Sequence, residues 1–589
     1  MNTIEGYASA TSISPGETIN FYLRSEPPHF FLNIRIYRLG NEGTVLWTVN
    51  TTAMPYPTPA DAYERGCGWP AAYSLTIPGD WQSGVYIAHI ESFLGPLPLG
   101  ASTDILFVVR ASAPGTNSKI LFQLAVNTYH AYNNWGGKSL YGYNSTDDNG
   151  DGIGDESNKV SFDRPGLLTS DSAFWAYEHP FVSWLEDNGF EVEYGTSIDL
   201  HANPDFLNNY QLMISVGHDE YWSKEMRDNV EAFIANGGNV AFFSGNVCWW
   251  QVRFEDNNRI MVCYKSAEED TGVDDSRVTV NWKDPPVNRP ENSLTGVSFY
   301  NGAGWWNGDV GPRPAVNFVV RFARHWVFAT TGLGDGDGFG SENLIVGYEV
   351  DAALFQENEN GVPIVTGEDG TPLNFIVLAT ADCTDWGPGG WSGPDGQGRA
   401  TMGIYRRRGT VFTAATTDWS HGLTGDWNAV SQITQNILRR LSCPCPPAPA
   451  IANSGFENWT AAGLPEQWNL EGVGSVRPEQ DSLRNGEILV VDASAGETWI
   501  SQEFDCEGRN YYRVGCWAKA DQKGATIRLQ STTTWRDFAI AEHTGSGEWQ
   551  YLSAVGMLDD EGPLYAARIK IQIANGVMGS FDDVTVDAL

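Results

Sequence analysis

His218, Asp219 and Glu220 follow one another in the stretch YQLMISVGHDEYW at 210–222. An imidazole and two carboxylates so placed can ligate one metal ion or exchange protons with one substrate. The apolar run Tyr210 to Val216, closed by Gly217, predicts a buried strand of an α/β sheet. Ser223 stands where it would cap a helix running to about Asn236. Ligands of open α/β sheets bind beyond the carboxyl ends of the strands. Without further context, the same trio serves equally well as a backbone cap and two solvated acids.

The elements around it add weight. A second apolar run, Ile120 to Val126, leads into residues 127–145, which hold Tyr129, Tyr132, Tyr141 and Tyr143. A third, Asn239 to Phe243, ends in Ser244, Gly245 and Asn246, followed by Cys248, Trp249 and Trp250. Helical patterns at Ser172–Asn188 and Ser223–Asn236 alternate with these strands, which predicts a parallel sheet with all three strand ends on one edge.

A chain of 589 residues predicts about three domains. With 73 acidic residues against 36 Lys and Arg, the formal charge is -37, which excludes nucleic acid and anionic membrane as partners. No apolar run approaches a membrane span. Eight cysteines, with close pairs Cys248/Cys263 and Cys506/Cys516, permit disulfides in an exported protein. The opening MNTIEGYASA carries no signal segment, so an extracellular protein is expected with its signal already removed.

Short β-type runs with Pro/Gly turns predict a β-sandwich over 1–113. Residues 119–442 read as the α/β domain, CPCPPAPA at 443–450 as a stiff spacer, and 451–589 as a further β module. The loop DDNGDGIGDESN places Asp147, Asn149, Asp151 and Asp155 at the spacing of a calcium loop around Gly152. The C-terminal ends NSGFENW and FDDVTVDAL resemble the first and last strands of jelly-roll carbohydrate-binding modules. That likeness implies a structural calcium on Glu457 and Asp582 or Asp583, and tryptophans able to stack on sugars.

The central region resembles the catalytic domain of the N,N-dimethylformamidase large subunit and its bacterial relatives. The matching segments are TYHAYNNWGGKSLYGYN, VSFDRP, EHPFVSWLEDNGFEVEY, GHDEYWSKEMRD, SGNVCWWQVRFE and VGYEVD. The N-terminal EGYASATSISPGETINFYLRS and IRIYRLG extend the likeness over residues 4–442. It implies a type-1 glutamine-amidotransferase-like, flavodoxin-like α/β fold with a mononuclear non-haem iron held by two tyrosinates and a glutamate. Carried over by position, these are Tyr132, Tyr141 and Glu220, with Tyr129 competing for the place of Tyr132. His218, Asn246 and Glu349 are the implied neighbours. Phenolate and carboxylate are hard anionic oxygens that suit Fe(III).

The implied reaction is Lewis-acid hydrolysis of a small amide, with Glu349 or His218 as general base and Asn246 donating to the oxyanion. Cys248 lacks a nucleophile elbow and reads as structural or disulfide-bonded. The added C-terminal module and the acidic loop depart from the family pattern and leave the substrate open. The other class of function is a non-catalytic glycan-binding or surface-assembly protein on the same fold, with a polysaccharide as partner. A homo-oligomer is compatible with either.

Overall fold

The computed structural model describes residues 4–588 apart from 41–43, 96, 170–171, 358–360, 426, 444–451, 482, 485, 507–510, 533–535 and 558–564. All of the proline-rich spacer except Cys443 therefore lies outside the described residues. Contacts divide the chain into two units, Met1–Pro444 and Cys445–Leu589.

The first unit opens with two facing sheets. One pairs Ile4–Ala8, Thr18–Ser25 and Ala71–Thr76, and the other has five strands built on Phe31–Arg38, Gly84–Leu94 and Leu97–Val109. Alternation explains their pairing: Ile19, Phe21 and Leu23 point inward on one sheet, and Leu32, Ile34 and Ile36 on the other. The same unit continues into a nine-stranded sheet. Its order is Glu193–Thr196, Ile120–Leu124, Leu212–His218, Asn239–Gly245, Thr410–Thr413, Arg399–Arg406, Ile376–Asp382, Phe318–Val320 and Gly338–Phe339. The first five strands are parallel and the remainder antiparallel.

Strands Leu212–His218 and Asn239–Gly245 are buried along their whole length, which is why they read as continuous apolar runs. Phe242 faces helix Lys224–Ala235, whose Met226, Val230, Phe233 and Ile234 share its core. The next residue, Phe243, faces the opposite side and meets Phe181 of helix His179–Asp187 at 5.1 Å.

Several expectations shift. The central strand ends at His218 rather than Val216, so the imidazole belongs to the strand itself. Ser223 does cap the following helix, accepting from the Met226 N–H at 3.2 Å. The expected helix 172–188 is instead a π-turn, Phe174–Glu178, followed by helix His179–Asp187. The second strand ends at Leu124 rather than Val126, and Val126–Tyr132 form a short helix. Beyond Gly245 the alternation of strand and helix stops, because the sequence there has Gly- and Pro-rich turns between short β runs and no amphipathic helical period until Ala429–Leu441. The protein is mostly β. Cys248 and Cys263 are buried free thiols in separate apolar clusters, so that pairing is not formed. Cys516 is likewise a buried free thiol, while the Cys506 side chain lies outside the described residues. Among the described residues no helix is long and apolar enough to cross a membrane.

The N-terminal sheets grip the central region. Trp135 donates its indole N–H to Glu5 at 3.1 Å, the Cys67 N–H donates to the Asp163 carbonyl at 2.9 Å, and Arg110 pairs with Asp199.

The second unit is a sandwich of two five-stranded antiparallel sheets in a jelly-roll-like arrangement. Its core sets Ile500, Ile527, Ile569 and Ile571 against Leu489, Val491, Val514 and Phe581. None of its described tryptophans is exposed. Trp468 is core, Trp499 lies under Lys570, and Trp517 and Trp549 lie beside Arg484.

Candidate active site

Each polar group is fixed by the backbone that carries it. Gly217 has φ of 78°, and a Cβ there would come within 2.4 Å of Tyr177 Cβ, so only glycine lets the strand pass the π-turn. His218 then lies in register with Gly245 of the neighbouring strand. Glu220 is held by its own backbone: its N–H donates to Thr128 Oγ1 at 3.0 Å, and its carbonyl accepts from Trp249 and Trp250 at 2.9 and 3.0 Å. Asn246, just past the next strand, is left-handed with φ of 49°. Its N–H donates to Asp351 Oδ1 at 2.8 Å, across the strand that carries Glu349. Tyr132 ends the short helix after strand Ile120–Leu124, and Asn144 Nδ2 donates to its carbonyl at 3.0 Å. Hydroxyls of Ser139 and Ser145 bracket the Tyr141 backbone at 2.9 and 2.7 Å.

These elements bring six of the sequence-identified residues and a tryptophan together. Tyr132 OH and Tyr141 OH donate to Oε2 and Oε1 of Glu220, each at 2.8 Å. The two rings stack with centroids 4.5 Å apart. His218 Nε2 lies 3.3 Å from Glu220 Oε2 and 2.8 Å from Glu349 Oε2. It is close enough for an ion pair but is not aligned for a well-formed hydrogen bond. Asn246 Nδ2 and Trp306 Nε1 donate to Glu349 Oε2 and Oε1, both at 2.9 Å.

Burial sets the electrostatics. It alone would favour a neutral His218, but Glu349 and then Glu220 outweigh it and push the imidazole pKa up to about 9. Burial likewise raises Glu349, yet His218 and the Asn246 and Trp306 donors hold its carboxyl below the ordinary value. Burial, and next the Glu220 charge, push both phenols well up. The Lys265 ammonium lies over the Tyr141 ring, 3.8 Å from its centroid.

Other sequence-identified residues lie elsewhere. Tyr129 donates to the buried Glu178 and turns away from Glu220. Asp219 is buried behind the site, accepting from Ser215 Oγ at 2.7 Å. Asp147, Asn149, Asp151 and Asp155 share one exposed loop. There Asp147 accepts from the N–H groups of Gly150 and Gly152 at 2.6 and 2.8 Å, and Asn149 donates to Asp155 at 3.0 Å. In the second unit, Glu457, Asp582 and Asp583 gather around Gly455, where Arg484 already donates to Asp582 at 2.9 Å and pairs with Asp583.

Trp306, Asp351, Lys265 and Glu178 were not foreseen. VGYEVD offered a signal for Asp351, two residues beyond Glu349 on the same strand. Nothing local marked Trp306 or Lys265, which arrive from irregular segments.

Residues 33–433 match the family described as N,N-dimethylformamidase beta subunit-like, C-terminal. The N,N-dimethylformamidase beta subunit of Alcaligenes sp is 22% identical over 218 residues, covering 32% of this chain and 28% of that protein. That of Paracoccus aminophilus is 31% identical over 72 residues, 12% of this chain and 9% of that protein. The chain thus matches less than a third of the length of either relative. Among solved structures, TmCBM61 in complex with beta-1,4-galactotriose is 20% identical, over 24% of this chain and 99% of that one, at a TM-score of 0.19.

Proposed function

The chain belongs to the N,N-dimethylformamidase beta subunit-like family, and we propose that it hydrolyses the C–N bond of an amide at the Tyr132–Tyr141–Glu220 centre. The observation that carries this reading is the convergence of two phenol oxygens on the two oxygens of one buried carboxylate.

The residues present fit a hard cation. Three anionic-capable oxygen donors meet, and beside them the Tyr221 hydroxyl is buried with no hydrogen-bond partner among the described residues. Tyr132, Tyr141 and Glu220 would hold a mononuclear iron, which when bound supplies Lewis-acid polarisation of the amide carbonyl. Glu349, kept ionised by His218, takes a proton from the attacking water, and the protonated His218 returns one to the leaving amine. Asn246 steadies Glu349 through one amide N–H; its second N–H is the one available to the developing oxyanion. Trp306 completes the hold on Glu349.

The amidotransferase-like layout belongs to the same proposal. Five parallel strands with helices on both faces support it, and the antiparallel half of the sheet lies outside it. Calcium on the 147–158 loop and between Glu457 and Asp582 is proposed on oxygen donors alone, and export on the acidic charge.

The test is direct. Purified protein should contain iron by elemental analysis, absorb in the visible through tyrosinate-to-iron charge transfer, and release amine from dimethylformamide or a related small amide. Colourless, iron-free protein without amidase activity would overturn the reading.

A further inference from the structure

A cavity of about 420 Å³ opens beside the centre, and Tyr132 and His218 form part of its wall. Its size bears on the substrate. A five-heavy-atom amide fills about four water volumes, roughly 120 Å³ at about 30 Å³ each. Cavities of about 300–1,000 Å³ suit ligands several times larger.

The wall chemistry narrows the class. None of the lining residues is Asp, Glu, Lys or Arg. Tyr177 and Tyr348 present phenol rings and Tyr143 stands exposed at the mouth. Between them lie neutral hydrogen-bonding groups from Asn134, Thr169 and Ser172. The Ser172 hydroxyl is buried and has no hydrogen-bond partner among the described residues. A peptide terminus or a nucleotide would find on this wall only the His218 cation, already paired with Glu349 and Glu220, in a protein of charge -37. A lipid chain would desolvate the polar wall without returning its hydrogen bonds. A neutral, polyhydroxylated ring stacks on tyrosine faces and exchanges hydrogen bonds with hydroxyls and amides.

We infer that the substrate is an N-acylated amino sugar, its ring seated in this cavity and its amide presented to Tyr132 and His218. This rests on the amidase reading of the site. In the reaction, a water oxygen bonds to the acyl carbon and the C–N bond breaks. The nitrogen takes a proton and leaves as the free amino sugar, and the acyl group leaves as the carboxylate.

The full chain, with its iron content measured, is assayed against dimethylformamide, N-acetylglucosamine and its β-linked disaccharide. Released amine is the readout, and sugar binding is followed separately by calorimetry. The inference expects kcat/KM for the N-acetyl sugars to exceed that for dimethylformamide by about tenfold or more. Tyr143→Ala, at an exposed position that tolerates truncation, should lower the sugar value by about tenfold and the dimethylformamide value far less. Hydrolysis of dimethylformamide with neither turnover nor binding of the sugars would overturn this inference and leave the amidase reading standing. Sugar binding that weakens in Tyr143→Ala, with no amide cleaved, would uphold the ligand class and overturn the hydrolase. An equal effect of Tyr143→Ala on both substrates would also count against a sugar seat.

Discussion

Asn246 donates its side-chain amide to Glu349 Oε2 at 2.9 Å, across 103 positions of sequence. The bond forms because a left-handed turn after one strand faces the start of another. Glu349 thereby gains a second hydrogen-bond donor beside Trp306, in addition to its ion pair with His218. Asn246→Ala should retain iron and fold while kcat falls about 10²-fold, the size expected for one lost charge-stabilising donor. Steady-state kinetics with parallel metal analysis would check this. Unchanged turnover would remove Asn246 from the proposed machinery.

Glu220 and the two tyrosines should separate cleanly from Tyr129. Glu220→Ala is expected to abolish iron binding, and Tyr141→Phe to weaken it and shift the visible band. Tyr129→Phe, whose hydroxyl is committed to Glu178, should leave iron content and the band as they are. Loss of the band in Tyr129→Phe would restore it as a ligand in place of Tyr132.

Glu178 sets a pH dependence. Burial, offset in part by its Tyr129 and backbone hydrogen bonds, raises its pKa from 4.5 to about 8. The folded state then binds more protons than the unfolded between those values, so this group makes stability fall as pH rises from 4.5 to about 8. Glu178→Gln keeps the shape without titrating. It should flatten the slope of unfolding free energy by up to about 1.4 kcal/mol per pH unit in that window. Urea unfolding at several pH values measures it, and an unaltered slope would refute the assignment.

Gly217→Ala should cost more than the roughly 1 kcal/mol of a strained backbone position, because its methyl group would also meet Tyr177 Cβ. Thermal unfolding would show the loss. A neutral outcome would mean that the π-turn yields easily.

The site residues were legible where chemistry coincided with strand ends. His218, Glu220 and Asn246 follow buried apolar runs, and that pattern needs no tertiary knowledge. Choosing Tyr132 over Tyr129 was not legible, because both lie on one short helix and only the packing of Glu178 against Tyr129 separates them. The antiparallel half of the central sheet was hidden for a related reason. Its strands are separated by irregular Gly- and Pro-rich segments rather than by helices, and their partners are set by long-range register. Trp306 and Lys265 reach the site from irregular segments whose sequence carries no period.

The Trp135–Glu5 bond joins the N-terminal sheets to the loop between Tyr132 and Tyr141. Trp69 packs edge-on against the same indole at 5.9 Å, and a Cβ on Gly136 would come within 3.1 Å of the Tyr63 backbone nitrogen. The tyrosine pair is therefore clamped by a part of the chain that supplies no reacting group. Thermodynamic linkage makes such a clamp reciprocal. Any ligand that binds the tyrosine pair should raise the melting temperature of the N-terminal sheets, and loosening those sheets by Glu5→Ala should weaken that ligand by the same free energy.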